Sequence, residues 1–277
     1  MASTTWTKGI VKWEKDGHWC LSIPFTWLLP EAATFAAYHE GTVVGGPAVR
    51  LMPEWIGQYA EVDLGDRPGV LQLHNPDATR TSLGCRNACA FCGVRRIEGR
   101  YRELPVWPVR PVVIDSNILQ SSDAHFENVV ANLEGISGVD FNQGLEAIRF
   151  TGYRAERILG LKLRQLRFSW DVATEENPVM AAVDRGLTAG MGRSHIIVYC
   201  LINFREEPEE ALYRMETLKA AGVVGFPMRY QPLDALRKDD YCAPQWQGKG
   251  LRQFVRYWAR LVRYGIPQQQ KQEALLR

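Results

Sequence analysis

Six short apolar runs with strand character begin near Thr79, Val112, Gly138, Gln165, His195 and Val223, at spacings of 33, 26, 27, 30 and 28 residues. Helical periodicity fills the intervals between them. Phe126, Val129, Val130 and Leu133 fall at i, i+3, i+4 and i+7 behind the cap candidates Ser121 and Ser122. Asn177-Pro178 is a helix start with Gly190 as its stop, and Pro208-Glu209-Glu210 opens a helix that Gly222 ends. Leu251, Phe254, Val255, Trp258, Leu261 and Val262 form a wide apolar stripe, closed by Gly265-Ile266-Pro267. Strand–helix alternation at this period predicts an α/β fold, with parallel strands joined by crossover helices. An open doubly wound sheet and an incomplete barrel both accommodate six units, whereas a closed barrel needs eight. In either case chemistry gathers at the carboxyl ends of the strands.

The first 75 residues follow another pattern. Trp6–Trp13 and His18–Ile23 flank Glu14-Lys15-Asp16-Gly17, a hairpin signal, and a short helix is expected over Pro30–His39. We therefore divide the chain into an N-terminal appendage, residues 1–75, and an α/β domain, residues 76–277, with the boundary near His74-Asn75-Pro76.

The 277 residues, 46% hydrophobic and 23% charged, can bury a sizeable core and argue against intrinsic disorder. With no run of ~18 apolar residues and no basic-then-apolar opening, neither a membrane span nor a secretory signal is expected. Six cysteines are too few for a disulfide scaffold, so a reducing, cytoplasmic setting is expected. The net charge of +2 demands no polyanionic partner, but its distribution is uneven. From Lys249 onward there are seven basic residues against one acid. Arg252, Arg256, Arg260 and Arg263 line one edge of the last helix, either to meet phosphates or as a solvated face.

Three of the six cysteines are packed into Thr81-Ser82-Leu83-Gly84-Cys85-Arg86-Asn87-Ala88-Cys89-Ala90-Phe91-Cys92-Gly93, directly after the first expected strand. Three thiolates from one short loop can converge on a single soft centre. A structural zinc site wants a fourth ligand at pair spacing, and neither Cys20, Cys200, Cys242 nor a histidine supplies it. A disulfide conflicts with the compartment and with the odd number. An iron–sulfur cluster on three thiolates leaves one iron open for chemistry, and this fits best. The three scattered cysteines are expected as buried thiols.

A C-x-x-x-C-x-aromatic-C loop after the first strand of a six-unit β/α chain resembles the radical SAM superfamily, over roughly Thr79 to Tyr230. The resemblance implies a partial (βα)6 TIM-like barrel. Cys85, Cys89 and Cys92 would hold a 4Fe–4S cluster, with Phe91 near the adenine of S-adenosylmethionine. An external electron donor such as flavodoxin or ferredoxin, or dithionite in vitro, would reduce the cluster. The sulfonium would then split to methionine and a 5′-deoxyadenosyl radical that abstracts hydrogen from a substrate.

Other positions match the family's pattern more loosely. Its second strand usually ends in a Gly-Gly-Glu-like turn. Here the turn is Asp115-Ser116-Asn117, without the glycines, though Asp115 and Asn117 still offer oxygen acceptors to an ammonium. This form resembles the branch related to cobalamin-dependent members. Asp16-Gly17-His18 starts like a cobalamin motif, but Leu21 stands where the motif has glycine, so cobalamin is not expected. Asp140-Phe141-Asn142-Gln143-Gly144 follows the third strand and places polar groups, Gln143 among them, where ribose or substrate would lie. In the fourth strand Leu166, Phe168 and Trp170 alternate with Arg167, Ser169 and Asp171, and Ser169 or Asp171 would meet the ribose. The fifth strand would wall the adenine, and Arg229 with Tyr230 would clamp a carboxylate or phosphate. Short proteins similar to this family occur on mobile elements, where some modify bases. A nucleotide or nucleic-acid base is therefore the expected substrate, altered by radical rearrangement or a related modification. The competing expectation is a non-enzymatic, nucleic-acid-binding module in which the cysteine loop holds zinc or a structural cluster.

Overall fold

The computed structural model describes residues 6–264, with side chains as far as Leu261. It divides into two compact units. The first is Met1–Thr79, Leu83–Arg102 and Gln231–Tyr241, and the second is Arg80–Ser82, Glu103–Tyr230 and Cys242–Arg277.

In the first unit β1 (Val11–Lys15) and β2 (His18–Ser22) form the expected antiparallel hairpin. Its turn residues Asp16 and Gly17 both have positive φ (51° and 79°), as a two-residue turn matching the strand twist requires. The expected helix is α1 (Leu29–Tyr38), entered through Pro30. It returns the chain to β3 (Val43–Gly45), which pairs parallel with β2. Two short helices, α2 (Pro47–Leu51) and α3 (Pro53–Ile56), lead to β4 (Glu61–Val62), parallel to β3. The hairpin therefore extends into a four-stranded mixed sheet. Leu21, Ile23, Leu29, Ala32, Val44, Val49 and Ile56 form its core. Helix α4 (Val70–His74) follows, then β5 (Ala78–Thr79) and β6 (Ser82–Leu83). Helix α5 (Val94–Ile97) and β7 (Arg102–Glu103) come after the cysteine loop, and β7 pairs with β6.

The remaining elements alternate as the thirty-residue period predicts: β8 (Val112–Val113), α6 (Asp123–Leu133), β9 (Ser137–Phe141), α7 (Gly152–Leu159) and β10 (Lys162–Ser169). They continue with α8 (Glu176–Thr188), β11 (Ile196–Ile202), α9 (Pro208–Ala220), β12 (Val224–Arg229) and α10 (Leu251–Tyr264). Ser122 caps α6 as expected, its hydroxyl accepting from His125 N–H at 3.2 Å. Helix α8 starts at Glu176, two residues ahead of Pro178, the expected first helical residue behind an Asn177 cap, and follows a 3-10 turn over Ala173–Glu175. The Glu175 carboxylate accepts from the Asp171 and Val172 amides ahead of that turn (2.6 and 3.2 Å). The stop expected at Gly265-Ile266-Pro267 lies outside the described residues.

The six-stranded sheet has the order β5-β8-β9-β10-β11-β12, which is chain order, and each recorded pairing from β8 to β12 is parallel. A doubly wound sheet reverses direction at a switch point. This one does not, so the doubly wound alternative is set aside. Among the described residues the sheet is open, with β5 and β12 at its ends.

Gly186 of α8 shows which face of the sheet meets the helices. A Cβ there would stand 2.7 Å from Leu166 Cδ2 and 3.1 Å from Ile196 Cδ1. Alternation then turns Leu166, Phe168 and Trp170, all buried, toward the helices. Arg167, Ser169 and Asp171 lie on the opposite face.

Candidate functional site: the cysteine loop and the strand ends

Within the first unit, the cysteine loop is held at both ends. Gly84 donates its N–H to the buried carboxylate of Glu98 at 2.7 Å. Its φ is +78°, and a Cβ there would lie 2.7 Å from the Arg100 backbone, so only glycine fits. At the other end, a Cβ on Gly93 would meet Ile97 and Leu233 side chains at 3.1–3.2 Å. The following helix α5 is tied down in turn, because Arg50 donates to Ile97 O at 2.9 Å and Arg96 to Leu51 O at 2.7 Å. Gly84→Ala is expected to cost about 1–2 kcal/mol from the left-handed conformation alone. The backbone clash adds to this, and the loss reads as a lower urea midpoint. A midpoint equal to wild type would show that the loop does not need this glycine.

Between these anchors Cys85 is half-buried, and Cys89 and Cys92 are exposed. Cys92 N–H donates to Cys89 O at 3.1 Å, closing a turn, and Asn87 N–H donates to Cys85 Sγ at 3.4 Å. Phe91 is half-buried. Among the described residues no group of three or more His, Cys, Asp or Glu stands close enough together to hold a metal ion. The donor set nonetheless suits a soft metal centre. Three sulfurs occur within eight residues, and two of them face solvent on a loop whose ends are fixed.

In the second unit Asp115 serves the chain just ahead of that loop. It is 3% exposed and accepts from Thr81 N (2.7 Å), Thr81 Oγ1 (2.5 Å) and Ser82 Oγ (2.7 Å). His125 Nε2 extends the network to Thr81 Oγ1 at 3.2 Å. Burial pushes the Asp115 carboxyl up from the usual aspartate range, against the pull of the Thr81 and Ser82 hydrogen bonds. Ser116 is half-buried. Asn117 is buried and donates to Glu146 Oε2 at 2.9 Å, where Gln120 (3.2 Å) and Arg149 (2.8 Å) also converge. Gln143 is exposed at the end of β9.

Ser169 and Asp171 come at the end of β10, two residues apart and on the face turned from the helices. Burial, with Glu175 as a neighbouring charge, pushes Asp171 up to about 6. The protonated form is thus favoured by folding. Its contribution is complete below about pH 4 and is lost as pH rises through 6. Asp171→Asn should therefore gain stability over wild type as pH is raised from 4 to 7, by up to roughly 3 kcal/mol. Parallel melting curves across that range test this, and a constant difference would overturn it.

Arg229 shares the register of Gly225, where a Cβ would meet Leu218 and Met215 of α9 at 3.2 Å, so it belongs to the helix side of β12. Cys20 and Cys200 are buried as expected, whereas Cys242 is half-buried. Burial pushes the Cys200 thiol up to about 12.

Two clusters go beyond what the sequence indicated, which offered Asp140 to a ribose or substrate and did not pair it with Arg167. Arg167 grips Asp140 of β9 with both arms of its fork, Nε to Oδ1 at 2.7 Å and Nη2 to Oδ2 at 2.9 Å. It also donates to Gln165 and to the Tyr199 hydroxyl of β11. Arg214 of α9, 3% exposed, donates to the carbonyls of Trp170 (2.6 Å), Asp171 (3.0 Å) and Leu201 (2.9 Å), clamping the ends of β10 and β11. The regular alternation of β10 was the available sign for Arg167. Nothing in the helical pattern of α9 marks Arg214.

No protein-family model matches the chain, and no curated protein or solved structure is significantly similar to it. No helix among the described residues is long and apolar enough to cross a membrane.

Proposed function

We propose that the chain is a cytoplasmic radical SAM enzyme and that its chain-order parallel sheet is the wall of a partial (βα)6 barrel. What carries the proposal is a coincidence of two separate features. A C-x-x-x-C-x-aromatic-C loop follows β5, the first strand of a six-stranded sheet that never reverses its winding, with only the short strand β6 between them. Cys85, Cys89 and Cys92 would hold the 4Fe–4S cluster, and Phe91 would lie near the adenine of S-adenosylmethionine. When bound, the cluster supplies the electron that splits S-adenosylmethionine and so starts hydrogen abstraction from substrate.

The residues of the chain have three tasks. Glu98 and Gly84 fix the entry of the loop, and Asp115 fixes Thr81 and Ser82 just before it. Within the second unit, Ser169 and Asp171 offer oxygen acceptors at the carboxyl end of β10. The substrate we propose is a nucleotide or a base within a nucleic acid, modified without a second cluster or cobalamin. A flavodoxin or ferredoxin supplies the electron.

The test is oxygen-free purification and reconstitution with iron and sulfide, followed by dithionite and S-adenosylmethionine. 5′-Deoxyadenosine and methionine are expected products, and deuterium transfer into deoxyadenosine then screens nucleotides against other substrate classes. A protein that takes up zinc and no iron would overturn the proposal in favour of a nucleic-acid-binding module.

A further inference from the structure

We propose that the outer ridge of α10 is a docking surface for the phosphodiester backbone of a nucleic acid. The inference rests on the nucleic-acid part of the proposed function and is independent of the cysteine chemistry. Leu251, Phe254 and Trp258 form one face of α10, each 5% exposed or less, and the helix packs on β12. Arg252, Arg256 and Arg260 project from the other side, all exposed. Four-residue spacing stacks them in one row, with about 6 Å of rise between successive arginines.

As a merely solvated face this row is badly composed. Like charges at i, i+4 destabilise a helix, and Arg252 in the first turn opposes the helix dipole. No acid occurs anywhere in Leu251–Tyr264 to relieve them. Among the described residues, none of the three arginines has a recorded ion pair. The neighbouring Lys249, by contrast, is paired with Glu207 at 3.4 Å. A polyanion offsets this repulsion, and guanidinium forks match phosphate oxygens two at a time. An anionic membrane is the weaker fit. A helix lying on a bilayer inserts its apolar face, and here that face is already buried in the protein.

The experiment uses the full chain, with and without iron loading. Its probes are a fluorescent 30-nucleotide single strand, the matching duplex, the RNA equivalent, and vesicles containing anionic phospholipid. Three phosphate contacts predict that affinity falls about twenty- to fortyfold between 50 and 200 mM salt. The triple variant Arg252→Gln/Arg256→Gln/Arg260→Gln should lose most of this salt dependence and bind at least about tenfold more weakly at 50 mM salt. Its melting temperature should not fall below wild type, because the substituted side chains are exposed. Comparing the three oligonucleotides identifies the favoured form. Equal affinity in the triple variant, binding to vesicles alone, or no oligonucleotide binding at 50 mM salt would overturn the proposal. Because the measurement needs no iron, failure of the radical SAM reading leaves its outcome intact, and the reverse also holds.

Discussion

Cys89→Ala, reconstituted without oxygen, is expected to fail to assemble the cluster. Three thiolates are the fewest that hold a 4Fe–4S cluster while leaving one iron for a substrate. With two, a second iron is open to water, and the assembly comes apart. The fold should survive, because Cys89 is exposed and a substitution of this kind shifts stability by no more than about 0.5 kcal/mol. Iron and sulfide per chain and the visible sulfur-to-iron absorption read the effect, with the melting temperature as control. Cys242→Ala, outside the loop, should load like wild type. A Cys89→Ala protein that binds four irons and cleaves S-adenosylmethionine would refute the ligand assignment.

Asp140→Ala should have the largest effect on stability. Asp140 is 2% exposed, and both its oxygens are matched to the fork of Arg167, whose side chain is 12% exposed. Removing the carboxylate leaves a desolvated guanidinium whose remaining hydrogen-bond partners among the described residues are Gln165 and Tyr199, neither of them an anion. Breaking a buried pair in this way costs about 3–5 kcal/mol. Asp140→Leu combined with Arg167→Met should recover most of it, because the desolvation penalty leaves with the charges. Urea unfolding of the single and double variants measures both. A loss under about 1 kcal/mol in Asp140→Ala would mean that water reaches the pair, and that this face of the sheet is more open than its burial indicates.

The strand count, the spacing and the hairpin were legible because each is a local property. Period-2 runs, Asp16-Gly17 between them, and Ser122 ahead of an apolar stripe act within a few residues of chain. Winding direction was not legible, since alternating strands and helices read alike whether successive strands add on one side or both. The four-stranded N-terminal sheet was also missed in part. Val43–Gly45 and Glu61–Val62 are too short to declare themselves and become strands only by pairing.

The candidate site divides in the same way. The cysteine spacing is covalent and needs no fold to be seen. Which alternating set of β10 turns from the helices was decided by the bare surface of Gly186 against Leu166. Asp115 read as an acceptor for a ligand, yet its oxygens accept from Thr81 and Ser82, more than thirty residues away in the chain. Glu98 and Arg214 are ordinary charged residues until folding takes them out of water and leaves backbone groups as their partners. The sequence by itself determined the period of the chain, its turns and the thiolate loop, because those follow from neighbours along the backbone. Only the tertiary structure decided the order of the strands and which polar groups hold the protein together, because burial and hydrogen bonding join residues far apart in the chain.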